Sequence, residues 1–147
     1  MITYRSIKKS IVGILKKNFP GEKVHFDNVE KADAPYFYVE MQPIVTTVDD
    51  VYSDRDIEID IQYIPKEDQW GRVSRMVLYD MAEKLDKAIR PVFYVEDRAI
   101  TIMGAESTVH DEVLHYIFRL DFTDADMESG EEYEAMEDLS LSIGKEK

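Results

Sequence analysis

Carboxylates are the residues of this chain best placed to do chemistry. Asp49 and Asp50 are adjacent, and Asp54, Asp56, Glu58 and Asp60 recur at every second position. On a strand that spacing aims four acidic side chains the same way, the arrangement that a shared metal ion or an acid and base pair needs. The run lacks the glycine turn and the terminal glutamate spacing of a helix-loop-helix calcium site. His25, His110 and His115 form no His-x-x-x-His or His-Glu-x-x-His pair, and His115 reads as a surface strand residue rather than a base. Ser107, in Gly104-Ala-Glu-Ser-Thr108, has no Gly-x-Ser-x-Gly elbow, and the six glycines stand singly rather than in a phosphate-cradling loop. With no cysteine there is neither a thiolate metal site nor a disulfide scaffold, which suits a reducing compartment without demanding one. The chain therefore reads as a non-enzyme without metal or cofactor, and the alternating acids as the solvated face of a sheet.

Charge narrows the partners. The net charge of −13 argues against an extended grip on duplex DNA, whose affinity comes largely from cations that displace counterions from phosphates. That charge is unevenly placed. Residues 1 to 23 hold Arg5, Lys8, Lys9, Lys16, Lys17 and Lys23 against Glu22, a net +5, which leaves −18 for the rest. A basic helix on an acidic body can pair with its own sheet or with a neighbouring copy, and the solvated face is the plainer use. No apolar run is long enough to span a bilayer, and Lys8 and Lys9 sit inside an amphipathic pattern, so a soluble chain without a signal peptide is expected.

The elements that must position these residues follow from periodicity. A length of 147 residues with 44% hydrophobic content suits one domain with a real core. Ile7, Ile11, Ile14, Leu15 and Tyr4 predict a helix over Thr3 to Asn18, stopped by Phe19-Pro20-Gly21. A short strand over Lys23 to Asp27, a polar stretch through Ala34-Pro35 and a strand over Tyr36 to Ile44 follow. Phe37, Val39 and Met41 oppose Tyr36, Tyr38, Glu40 and Gln42, which leaves the buried face open. Val45 to Asp56 has no tight-turn residue and reads as an extended hairpin arm or a mobile loop. Ile57, Ile59, Ile61 and Tyr63 share one face of the next strand. Pro65 then predicts the start of a second helix, with Glu67 and Asp68 in its first turn and Val73, Val77, Met81, Leu85 and Ala88 as its spine. Trp70 is expected to cover the core edge and Gly71 to allow close packing, with an exposed interface tryptophan as the alternative.

After Pro91, short strands at Phe93 to Val95 and Ala99 to Met103 flank Glu96-Asp97-Arg98. A longer strand puts Leu114, Tyr116, Phe118, Leu120 and Phe122 on one face. The order α-β-β-β-α-β-β-β predicts an α+β fold, a mainly antiparallel sheet packed on one side by two helices. Residues 1–127 form the domain. Residues 128–147 are an acidic tail with a thin apolar seam of Tyr133, Met136, Leu139 and Ile143. Alone it reads as disordered or a frayed helix, and a neighbouring subunit is one candidate to hold it.

Val51 to Pro65, the Trp70 to Leu85 helix and the opening Thr3-Tyr-Arg-Ser-Ile-Lys-Lys9 resemble the tail terminator family of tailed bacteriophages, in particular its short prophage versions from Gram-positive hosts. The resemblance covers most of residues 2 to 124 and leaves out the tail. It implies a ring, usually a hexamer, at the head-proximal end of the tail tube, which stops tube growth and offers a surface to neck or head-completion proteins. In a phage-tail-like bacteriocin the same part would be the collar. Implied partners are further copies of the chain, the tube protein and the neck proteins, with no membrane. DNA would pass through without specific binding, past an acidic lining, and assembly would occur in the host cytoplasm.

On this reading Val48, Asp49, Asp50, Val51 and Tyr52 are the tube contact, and Lys8, Lys9, Lys16 and Lys17 meet Glu58 and Asp60 between subunits. A head-completion or stopper protein is the nearest alternative, and a small host regulatory or ligand-binding domain the more distant one. A carboxylate hydrolase is disfavoured for want of a site.

Overall fold

Two strands of thirteen residues carry the molecule. In the computed structural model, which describes residues 2–27 and 34–125, these are β3 (Tyr52–Ile64) and β7 (Val113–Ala125), paired antiparallel with Ile59 opposite Phe118. The remaining elements are α1 (Tyr4–Asn18), β1 (Lys23–His25), β2 (Tyr36–Thr47), α2 (Arg75–Ile89), β4 (Val92–Val95), β5 (Arg98–Thr101) and β6 (Ala105–His110). The five-stranded sheet runs β1-β2-β3-β7-β6, antiparallel except for the β1–β2 pair, and β4–β5 is a separate hairpin. This is the expected α+β architecture. The acidic tail from residue 128 and part of the polar stretch before Ala34 lie outside the described residues.

One face of the sheet is apolar because the two long strands alternate in step. Ile57, Ile59 and Ile61 pair with Leu120, Phe118 and Tyr116, and all six are buried. Against them pack Ile7, Ile11 and Leu15 of α1, Leu78, Leu85 and Ile89 of α2, and Phe93, Val95 and Ile100 of the small hairpin. Each such side chain contributes about 1.5–3 kcal/mol relative to exposure. The buried face of β2 is the one carrying Phe37 and Val39, where the Phe37 ring packs between the tilted rings of Phe19 and Tyr63. Tyr36 belongs to a small cluster on the other face with Ile64 and Val113. At the start of α1, Thr3 accepts the Ser6 N–H at 3.1 Å while its own N–H donates to Ser6 Oγ at 2.9 Å, a capping box built with serine.

The second helix differs from expectation. It begins at Arg75, not at Pro65, because the Asp68 carboxylate takes the N–H groups of Trp70 and Arg72, both at 2.8 Å, and folds the chain into a turn. Gly71 completes that turn at φ 74, so its role is conformational rather than close packing. The spine is Leu78, Met81, Ala82, Leu85 and Ile89, while Val77 is half exposed. Trp70 is 68% exposed and covers no core. Strand β6 was not expected at all: Ala105 to His110 lies at an edge, and its residues are exposed apart from half-buried Val109, so it shows no alternation.

Candidate functional site

The even-numbered acids of β3 do share the outer face of the sheet, but they are held by neighbours rather than gathered on one point. Arg119, directly across from Glu58, donates to Asp56 at 3.1 Å and to Glu58 at 3.0 Å, and the Asp56 hydrogen bond raises its own pKa further. Asp56 and Asp121 stand opposite each other across the ladder, a like-charge pair whose Asp56 member is held by that arginine. His115 Nδ1 lies 3.1 Å from Asp60, Gln62 bridges Asp60 and Glu40, and Thr123 donates to Asp54. Among the described residues no three histidine, aspartate or glutamate side chains converge to hold a metal ion. Ser107 is an exposed residue of the β6 edge strand.

The hairpin tip joins β2 to β3 without glycine or proline. The Asp49 side chain does the closing: its carboxylate accepts the N–H groups of Val51 at 2.8 Å and Tyr52 at 2.9 Å, while Tyr52 O accepts from Val48 and Asp49 N–H. Those two backbone bonds hold the Asp49 carboxyl below the usual carboxylate range. The ladder runs to Thr47 opposite Ser53, so Val45 to Asp56 is an ordered hairpin, not a loop. At its end Ile44, Val45, Val48 and Tyr52 are exposed apolar side chains beside exposed Asp49 and Asp50, and Val51 is partly covered.

Lys8, Lys9, Lys16 and Lys17 are exposed on α1, whose apolar stripe packs on the inner face of the sheet. They are thus on the side of the molecule opposite Glu58 and Asp60. The fold does not bring the two sets together within one chain. Glu58 and Asp60 already have the in-chain partners Arg119 and His115. None of the described helices is long and apolar enough to cross a membrane.

Residues 6–133 match the family model described as phage tail terminator protein. The chain belongs to the phage tail terminator family. No curated protein matches it. The family is one of structural tail proteins, so this terminator-family chain has a structural role in the virion tail and acts with other tail components.

Two features of the terminator chain go beyond the sequence reading, which places Trp70 on a helix with exposure only as the alternative. One is the Trp70 turn, at the end of the sheet opposite the hairpin tip. There the Arg72 guanidinium lies 5.1 Å from the indole centroid and 3.7 Å from Asp68, and Met76 and Val77 are exposed nearby. An acidic residue two before the tryptophan and a glycine after it were the available signal. The other is a trio tying α2 to β7. Tyr116 OH donates to Asp86 at 2.8 Å, and Arg90 holds the same carboxylate at 2.6 and 3.0 Å. Arg90 first, and then Tyr116, pull the Asp86 pKa down, whereas burial and the Asp86 hydrogen bond push the Tyr116 phenol strongly up, so it stays a donor.

Proposed function

We propose that the chain assembles head to tail into a homo-oligomeric ring, a hexamer, that caps the head-proximal end of a tail tube, ends its growth and receives the neck or head-completion proteins. The observation that carries this reading is the placement of charge: a basic helix face and an acidic sheet face on opposite sides of one subunit. Surfaces so arranged are complementary only between copies, and a heterologous contact of that kind closes into a ring when its rotation allows. In this ring Lys8, Lys9, Lys16 and Lys17 face the sheet of the next copy, where Glu58 and Asp60 sit among Glu40, Glu106 and Asp121. The hairpin tip, Val48 to Tyr52, meets the tube. The Trp70 turn at the other pole is free for the neck side, where exposed tryptophan and arginine are effective anchors. The surplus of acid repels DNA phosphates and lets the genome pass without sticking.

Negative-stain imaging of the purified chain, alone and mixed with tube protein, tests the assignment. Rings seated on tube ends are the expected image, and they should weaken as salt rises, since exposed charge pairs are screened within about 8–10 Å at ordinary ionic strength. A chain with Lys8, Lys9, Lys16 and Lys17 all changed to glutamate should melt normally and sediment as a monomer. Unaltered rings in that variant would move the contact elsewhere, and a persistent wild-type monomer indifferent to tubes would remove the capping role.

A further inference from the structure

The cations of α1 are gathered along one helix without a carboxylate partner among the described residues. Arg72, Arg90, Arg98 and Arg119 each reach a carboxylate, whereas Arg5, Lys8, Lys9, Lys16 and Lys17 form no ion pair among the described residues, and Lys8 only covers the Phe26 ring at 4.9 Å. Helical spacing turns Arg5, Lys9 and Lys16 directly away from Ile7, Ile11 and Leu15, with Lys8 and Lys17 on the flanks. All five are exposed. The first turn of α1 also contains no acid to meet its positive dipole end. The helix therefore presents an uncompensated positive stripe about 18 Å long from Arg5 to Lys17 at 1.5 Å per residue.

The end of β7 delivers a matching segment to that stripe. Asp124 accepts the Ile2 N–H at 2.7 Å, so Ala125, the last described residue, lies beside the start of α1. The 22 residues that follow, 126–147, carry eight acids and two lysines, a net −6. Even at helical rise they reach about 33 Å, more than the stripe requires. Tethering at the near end of α1 makes the encounter intramolecular, with the high effective concentration of a short linker.

We propose that the acidic segment 126–147 docks on the basic outer face of α1 in its own chain, its carboxylates between Glu128 and Asp138 taking the Arg5 to Lys17 stripe. The contact does not depend on the ring. Where the ring forms through α1, the segment competes with the neighbour's acidic sheet for the same lysines, so the free subunit is shielded until a neighbour displaces its own tail.

Zero-length carbodiimide coupling tests this, because it joins amines to carboxylates only when they touch. The full chain is coupled as an equal mixture of unlabelled and isotope-labelled protein, dilute enough to be monomeric by sedimentation, and the linked peptides are identified by mass spectrometry. Expected are links from Lys8, Lys9, Lys16 or Lys17 to the peptides spanning Glu128 to Asp138, within one isotope, and lost at about 1 M salt, where the Debye length is ~3 Å. A second measurement does not rely on coupling. Changing Glu131, Glu132, Glu134, Glu137 and Asp138 to glutamine should raise the rate of amine acylation at Lys9 and Lys16 several-fold. Links that join different isotopes, links to the outer sheet face only, or unchanged acylation would each overturn the proposal. Failure of the variant to form rings would bear on the capping role and leave these readouts untouched.

Discussion

The β2–β3 hairpin is two proteins in one. At its root, Phe37 and Val39 of β2 and Ile59 and Ile61 of β3 are buried under both helices. Six residues further along the same ladder, every β2 residue from Gln42 to Thr47 is exposed, yet β3 still buries Ser53 and Arg55. The strands have the same pairing in both places; what differs is their neighbours. β3 is flanked by β2 and β7 along its whole length, and the inner side of its far end is covered by the chain before α1, where Arg55 donates to Ile2 O at 3.2 Å and its guanidinium lies 5.9 Å from the Tyr4 ring centroid. β2 becomes an edge beyond Tyr38, where β1 ends, and Pro43 lies in that edge. A proline there leaves no donor for a stray strand, so the exposed arm is protected from indiscriminate pairing. Apolar burial is confined to the root, and the tip is exposed.

The largest effect should come from charging the root. In Ile59→Asp a carboxylate replaces a fully buried side chain packed in the main core, with no cation placed to pair with it. The cost is several kcal/mol, comparable to the whole stability of a domain this size. Insoluble or uncooperatively melting protein is expected, and a soluble variant with a sharp thermal transition would show that the root is not what holds the fold.

Changing Val48, Val51 and Tyr52 together to serine should do the reverse. Val48 and Tyr52 are about half exposed, Val51 is partly covered, and the turn is closed by Asp49, which the variant keeps. The melting temperature should move by no more than a few degrees, the scale of about 1 kcal/mol for a domain of this length. In an induced lysogen the same variant should give overlong or unjoined tails. Tails of normal length and joining, with the variant incorporated at full level, would make the tip an ordinary turn.

Legibility follows the same division. Where strands and helices bury one face, at Ile57 to Tyr63, Leu114 to Phe122 and Ile7 to Leu15, the hydrophobic period identifies both the element and its inner side. Where nothing is buried, the period carries no information. β6 is exposed along almost its whole length, and the outer half of β2 alternates against solvent on both sides, so the sequence shows no period for the first and fits either an arm or a loop for the second. The turn at Asp68 to Arg72 hid for another reason. Pro65, Glu67 and Asp68 look like the first turn of a helix, and only the Asp68 side-chain bonds to Trp70 and Arg72 N–H redirect them. The assembly residues were placed by exposure and charge rather than by any chemical motif, and the structure adds that the two charged sets lie on opposite sides.

On the outer face of the root, Arg119→Met should have a modest effect. Its bonds to Asp56 and Glu58 are about half exposed, and exposed pairs of this kind contribute about 0–1 kcal/mol. Its removal takes the cation from Asp56, which faces Asp121 across the ladder, and from Glu58, so the loss in a denaturant titration should shrink when salt is added. A salt-independent loss above about 2 kcal/mol would mean that the outer face carries part of the core's work, against the range for surface pairs.

The smallest effect separates root from tip by pH. Asp86 has its pKa lowered chiefly by the Arg90 hydrogen bonds, with Tyr116 adding to it and burial opposing. A carboxyl whose folded pKa lies below its unfolded value of about 3.9 contributes stability above that value and loses it as pH falls through the folded pKa. The pair is more than a third exposed, so its worth is under about 1 kcal/mol. Asp86→Asn should therefore melt slightly below the parent at neutral pH, and the gap should close as pH drops below about 4. Asp49 is lowered too, by the Val51 and Tyr52 N–H groups, but its own side chain is exposed. Asp49→Ala should remove hydrogen-exchange protection at those two amides and leave the global melting curve where it was. A gap for Asp86→Asn that stays constant from neutral pH down through acid would assign its effect to lost packing rather than to charge, and a shift in the global melt of Asp49→Ala would join the tip to the cooperative unit of the root.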